Sequence, residues 1–377
     1  MLTAFGPFVT DFYLPVLPEM ADFFRTSPSL VSMSLTAGMT GLAAGQVLIG
    51  PLTDKYGRKH ILVASMLLFA IASVLCILAP NIFVFNLTRL FQGLAGAGGI
   101  VISKSMATDM YRGKELADFM AVLGAVNGVA PVLAPVLGGT MASFASWQGI
   151  FCLLLGIGVI LMVCSMFLRE TLKPSARMRK NVILVYGNLF KVFRNTRFTL
   201  CTASMMTCFF TFFGYLASSP FILQQTYGLT PLHFSLCFGL NALMICLGAG
   251  LATQFRSQAK CMKCAAVDLL IASVLVAFCL TAHMPLVLLM ASYIYLMISF
   301  GLMQPTATAI ALDSERGNAG AASAIFGASG FLAGAVASPV VPLGNIAVTS
   351  SLVITGGAVL CLMATLPLCG QLYRDKA

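Results

Sequence analysis

Apolar residues along this chain come in blocks of about 20, the length of helix that crosses a hydrocarbon core. Short polar, glycine- or proline-marked breaks separate them. Twelve blocks can be marked, beginning near Met1, Leu30, Ile61, Phe83, Phe119, Gln148, Phe198, Leu232, Ala265, Pro285, Ala319 and Val348. Each predicts a transmembrane helix, because a lipid-exposed backbone must satisfy its hydrogen bonds internally. A transmembrane β-barrel would instead show short alternating segments. The expected fold class is therefore an all-α integral membrane protein of twelve transmembrane helices. The first helix stands apart. Seventeen residues precede Pro18 and they include Asp11, so this helix is expected to lack a turn or more, through truncation or a misassigned start.

Composition agrees with the pattern. Hydrophobic residues make up 59% and charged residues 9%, against about 25% charged in a soluble domain. The net charge of +10 is unevenly placed. Nineteen of the 22 Lys and Arg residues lie in alternate connections or at the carboxyl end, eight of them between Arg169 and Arg197. The opposite connections carry Arg25 and almost nothing else. By the positive-inside rule both chain ends are cytoplasmic. Topology accounts for the charge, which removes the case for a nucleic-acid partner. The twelve cysteines lie mostly inside apolar blocks and act as small apolar residues. Cys261 and Cys264 have metal-like spacing without a second pair, so no metal site is expected. No nucleophile–His–acid set and no phosphate-cradling Gly-Lys-Ser/Thr loop occurs, which argues against an enzyme and against ATP-driven pumping.

The longest and most basic connection divides the helices six and six: residues 1–169, a cytoplasmic linker at 170–197, and residues 198–377. A faint internal echo supports the division. Gly50-Pro51-Leu52-Thr53-Asp54 and Gly250-Leu251-Ala252-Thr253-Gln254 both follow the second helix of their half.

Several residues carry candidate chemistry. Asp11 sits about 10 Å inside the outer end of its helix, counting 1.5 Å per residue to Pro18. An acid there is costly unless paired, hydrated or protonated. It either loads and releases a proton as its surroundings alternate, or sits in a fixed ion pair or wet helix end. Arg89, early in the fourth block, is its expected partner, or else an anchor for that helix. Lys104 either snorkels to the cytoplasmic surface or lines the pathway. The fifth block holds Gly124, Asn127, Gly128, Pro131, Pro135, Gly138 and Gly139. Its prolines bend the helix and its glycines permit close packing. Asn127 either bonds between helices or touches a ligand. In the aromatic seventh block, Phe213 and Leu216 are candidates for an apolar pocket.

The run Gly50-Pro51-Leu52-Thr53-Asp54-Lys55-Tyr56-Gly57-Arg58-Lys59 reads as a tight basic hinge between two membrane helices. It resembles the loop between helices 2 and 3 of the major facilitator superfamily. Asp11-Phe12-Tyr13-Leu14-Pro15-Val16-Leu17-Pro18 resembles the first helix of the Bcr/CflA drug-resistance transporters. Arg89 with Gln92-Gly93 is similar to the superfamily's fourth-helix motif, and Gly124 to Gly139 to the fifth-helix motif of antiporters. The resemblance implies two pseudo-symmetric six-helix bundles. It implies drug efflux across a bacterial inner membrane, driven by the proton gradient with no cofactor, and a monomer meeting lipid, protons and a small drug-like substrate. Under it, Asp11 and Arg89 are the coupling pair, and Asn127, Phe213 and Leu216 lie near substrate. Gly50, Asp54, Gly57, Arg58, Asp109 and Glu170 form a cytoplasmic gate that locks the outward-facing state. Two positions depart from the pattern: Thr108 stands where the family often has Arg, and Thr3 where some relatives carry a second acid. A nutrient or metabolite symporter on the same fold is the alternative.

Overall fold

A computed structural model describes residues 2–178, 186, 189–315 and 318–374. Part of the linker expected at 170–197 lies outside the described residues. The chain divides into two compact units, residues 1–189 and 190–377.

In the first unit the opening segment is not one helix. It comprises α1 (Phe5–Thr10) and α2 (Leu17–Phe23), joined through a 3-10 turn at Leu14–Val16. Pro7, Pro15 and Pro18 explain the interruption, since proline lacks the N–H a helix interior uses. Long helices follow: α3 (Pro28–Tyr56), α4 (Arg58–Ile77), α5 (Ile82–Met110), α6 (Gly113–Ala142) and α7 (Trp147–Phe167). Side-chain caps mark two of their starts, with Ser27 accepting from the Leu30 N–H and Asn81 from the Val84 N–H. The second unit holds α8 (Thr196–Phe221), α9 (Pro231–Ala252), α10 (Gln258–Thr281), α11 (Leu286–Ser314), α12 (Ala319–Val340) and α13 (Ile346–Arg374). A π-turn over Ile222–Thr226 extends α8.

Ten of these helices are long and apolar enough to cross a membrane. Of the other two expected spans, one is the broken opening segment. The other is α5, 29 residues long, which carries Arg89, Lys104 and Asp109.

Glycines set the closest crossings. A Cβ on Gly93 would fall 2.0 Å from the Gly38 carbonyl oxygen, and one on Gly41 2.1 Å from that of Leu90. The backbones of α3 and α5 therefore touch, as small residues allow in membranes. In the second unit Gly248 and Gly301 bring α9 and α11 together in the same way, against the carbonyls of Ile298 and Ile245.

Candidate functional site

The first unit contains two polar centres. One is buried. Arg89, the eighth residue of α5, is wholly enclosed. Its Nη1 donates to Gln92 Oε1 and its Nη2 to the Val9 carbonyl oxygen. The guanidinium carbon lies 4.3 Å from the centroid of the Tyr13 ring and 5.6 Å from that of Phe151. An aromatic face attracts a desolvated cation, which offsets part of the cost of burying it. Gln92 passes the network on, donating from Nε2 to Ser73 Oγ at 2.8 Å. Tyr13 Oη meets Ser34 Oγ at 2.9 Å. Gly38 makes room for the arginine, since a Cβ there would lie 3.1 Å from Nη2.

Asp11 is also buried, 4% exposed. The Thr10 hydroxyl lies 2.6 Å from Asp11 Oδ1 and 3.0 Å from the Gly6 carbonyl oxygen. Among the described residues no ion pair joins Asp11 to Arg89, so the expected pairing differs from what is found. The guanidinium is taken up by a backbone carbonyl, a neutral amide and two rings.

The second centre lies at the α3–α4 turn. Arg58, 7% exposed, donates from Nη1 to Thr53 Oγ1 at 2.7 Å and pairs with Asp54. Its Nε meets Asp109 Oδ2 at 3.0 Å. Thr171 donates to the same Asp109 oxygen at 3.1 Å. Glu170 closes the cluster by capping α4. It accepts from the backbone N–H groups of Arg58 and Lys59, at 3.0 and 3.2 Å, and of Leu172 at 3.0 Å. A carboxylate at a helix N-terminus satisfies orphan donors and complements the helix dipole. Gly57, the residue before α4, has no side chain with which to cap. Its φ of +96° demands glycine, and a Cβ there would also sit 2.4 Å from Glu170 Oε2, so the carboxylate would have to shift. Burial tends to raise the Glu170 carboxyl. The three N–H donors and the nearby Arg177 charge outweigh it and hold the group below its ordinary 4.5.

The remaining candidates scatter. Gly50 and Gly124 have open space where a Cβ would be, so neither is held to glycine by contact. Gly138 would bring a Cβ within 1.9 Å of the Phe12 carbonyl oxygen, so α6 crosses the opening segment there. Pro131 and Pro135 lie inside α6. Gly139 is buried, and Gly128 and Asn127 are half-buried. Phe213 stacks on Phe209 with centroids 5.8 Å apart, and Leu216 is fully enclosed. Sequence reasoning missed Thr10, Tyr13, Ser34, Thr53, Ser73 and Thr171. Tyr13 and Thr53 lie inside the runs Asp11–Pro18 and Gly50–Lys59, which were a signal for them; the small hydroxyls of Thr10, Ser34 and Ser73 lie in neither run. Among the described residues no group of three or more His, Cys, Asp or Glu is placed to hold a metal ion.

The sequence profile described as Major Facilitator Superfamily matches residues 1–338. YdgK, an MFS-type transporter of Bacillus subtilis (strain 168), is 32% identical over 347 residues, covering 90% of this chain and 86% of its own. A chloramphenicol resistance protein of Pseudomonas aeruginosa is 29% identical over 62% of this chain and 55% of its own. A bicyclomycin resistance protein homolog of Haemophilus influenzae is 25% identical over 68% and 65%. Among solved structures, a D-xylose–proton symporter superposes with a TM-score of 0.76 at 14% identity, covering 97% of this chain and 95% of its own. The nucleoside transporter NupG gives 0.71 at 16%, covering 97% and 98%. At such identities these structures share the fold.

Proposed function

The chain belongs to the major facilitator superfamily and is a multi-pass membrane transporter, and from that premise we propose that it is a Bcr/CflA-type multidrug:proton antiporter of a bacterial inner membrane. Relatives named for chloramphenicol, bicyclomycin and multidrug resistance support export of drug-like molecules. One observation supports the proton as the coupled ion. The Thr10 hydroxyl has a single proton, yet its oxygen lies within hydrogen-bond reach of both the Gly6 carbonyl and Asp11 Oδ1. Two acceptors cannot share that proton fully. Both bonds form together when the Asp11 carboxyl is protonated and donates to Thr10 Oγ1, leaving Thr10 free to donate to Gly6. On deprotonation Thr10 turns its proton to the carboxylate and releases the Gly6 carbonyl, in the first turn of α1. Loading a proton at Asp11 thus changes the side-chain bonding of α1, the helix it follows.

In this reading Arg89 does not compete for the carboxylate directly. It clamps the Val9 carbonyl, two residues away, and so fixes the backbone from which Asp11 projects. Arg58, Asp54, Asp109 and Glu170 act as the cytoplasmic gate. Asn127, Phe213 and Leu216 stand near the substrate path, reached by alternating access between the two halves. The chain works as a monomer in lipid, without a cofactor.

In everted vesicles, adding a transported compound should release protons from the lumen of wild-type vesicles. Asp11→Asn should abolish that release and active export while leaving substrate binding within about threefold. Undiminished export by the variant would remove Asp11 as the carrier. Uptake driven down an imposed proton gradient, in place of export, would favour a nutrient symporter.

A further inference from the structure

The helices of the second unit carry few charges, and nearly all stand within two turns of a helix end. Arg197 is the second residue of α8 and His233 the third of α9. Lys260 and Lys263 are the third and sixth of α10, Asp313 the last but one of α11, and Arg374 the last of α13. Asp268 is the exception. It is the eleventh of the 24 residues of α10, about 15 Å from Gln258 and 20 Å from Thr281 along the axis. A hydrocarbon core is about 30 Å thick, so this carboxyl lies near its middle. An acid at that depth is costly and marks a function.

Tyr295, the tenth residue of α11, donates its hydroxyl to Asp268 Oδ1 at 3.0 Å. That bond occupies one oxygen, and an asparagine would accept it as well. Among the described residues Oδ2 has no partner and no base pairs with the carboxyl. Lys263, the nearest base along α10, is five residues away and about 140° around the helix. Asp268 and Tyr295 are both half-buried. Val267, Ile271 and Leu275 on α10, and Leu288 and Ala291 on α11, are apolar and exposed. On two helices fit to span a membrane, lipid covers such a surface. The carboxyl is thus open to the bilayer at the flank of α10 that meets α11.

We propose that Asp268, with Tyr295 beside it, is a lipid-facing binding site for lipophilic amines, separate from the buried centre around Asp11 and Arg89. A carboxylate at this depth calls for a cation, and the chain supplies none. Asp268 Oδ2 accepts an N–H of the ammonium in a charge-assisted hydrogen bond. The exposed side chains of Val267, Ile271 and Leu275 receive the alkyl chain. Whether the proton starts on the amine or on the acid, the product is one ammonium–carboxylate pair of zero net charge, which apolar surroundings tolerate better than a lone ion. Lipid headgroups are the other source of ammonium in a bilayer, and at about 15 Å from its middle they stand out of reach. The site needs only that α10 and α11 cross a membrane, so its failure would leave the antiporter reading as it stands.

Radiolabelled dodecylamine and dodecanol, partitioned between phosphatidylcholine nanodiscs holding the purified full chain and empty ones, test the assignment. Wild type should retain one saturable dodecylamine per chain and no saturable dodecanol. Asp268→Asn keeps an acceptor for Tyr295, so it should melt as wild type does while weakening dodecylamine about tenfold. Tyr295→Phe removes the tie between the helices but leaves the carboxylate, and should hold dodecylamine within about threefold of wild type. Phosphatidylethanolamine added to the nanodiscs should not displace the amine. Four results overturn the site: no saturable dodecylamine on wild type, undiminished binding by Asp268→Asn, displacement by phosphatidylethanolamine, or equal losses of binding and melting temperature in Asp268→Asn and Tyr295→Phe, which would make the two residues a structural pair.

Discussion

Gly57 and Glu170 show how one position can be fixed by a residue far along the chain. Gly57 has φ +96° and ψ 153°, a region open essentially to glycine alone. Gly57→Ala adds backbone strain of order 1–3 kcal/mol and pushes a methyl against Glu170 Oε2. It should lower the melting temperature and loosen the cap on α4, read as faster exchange of the Arg58 and Lys59 amides. Glu170 gives a prediction with a sign. Its folded-state carboxyl lies below the ordinary 4.5, because three backbone N–H donors and Arg177 outweigh its burial. The stability it contributes is complete above pH 4.5 and disappears as the pH falls through the folded value. Glu170→Gln should therefore melt below wild type at pH 7, with the gap narrowing on acidification below 4.5. A gap that stays constant down to pH 3.5 would show that the charge is not what caps the helix.

Two helix pairs, α3 with α5 and α9 with α11, are brought into backbone contact by glycines. Gly93→Ala must displace α3, because its methyl would sit 2.0 Å from the Gly38 carbonyl oxygen. Overpacking of this kind costs typically 1–3 kcal/mol, and because Gly38 also adjoins Arg89 the variant should lose transport along with stability. Gly124→Ala, with nothing nearby, is the matched control and should behave as wild type. These contacts also mark how far the sequence could be read. Apolar runs of helix length were legible throughout, since lipid and neighbouring helices both select them. The break between Thr10 and Leu17 was not, because a proline-rich apolar run reads as one span until its missing N–H groups are counted. Asp54, Arg58, Asp109 and Glu170 were brought together by the resemblance to the superfamily, since nothing in the spacing of four charges in separate connections ties them to one another. The partners of Arg89 were not legible: a carbonyl and an aromatic face leave no charge signature, and the obvious acid was Asp11. Glycines of the fifth-helix motif were legible as a pattern, but the pattern could not separate Gly138, where a Cβ would run into the Phe12 carbonyl, from Gly124, where a Cβ would meet nothing within 4 Å.

At the scale of the whole molecule, charge and depth together support the proposed orientation of the transporter. The buried centre and the charged turn are both strung along α3. Ser34 bonds to Tyr13 near its start, and Thr53 bonds to Arg58 near its end, 19 residues or about 28 Å apart. Arg58 lies in one of the alternate connections of the sequence that, with the carboxyl end, hold 19 of the 22 Lys and Arg residues. A bias so uneven orients a chain with its basic connections in the cytoplasm. On the orientation and coupling proposed above, Asp11, two residues before Tyr13, would lie toward the outer face, where an inward proton gradient would load it. A green fluorescent protein fused after Ala377 should be fluorescent, and alkaline phosphatase fused there inactive. The same phosphatase fused in the connection between α10 and α11, near His283, should be active. The reverse pattern would place Asp11 toward the cytoplasm, away from the proton source, and would leave the gradient with no route to do work through that carboxyl.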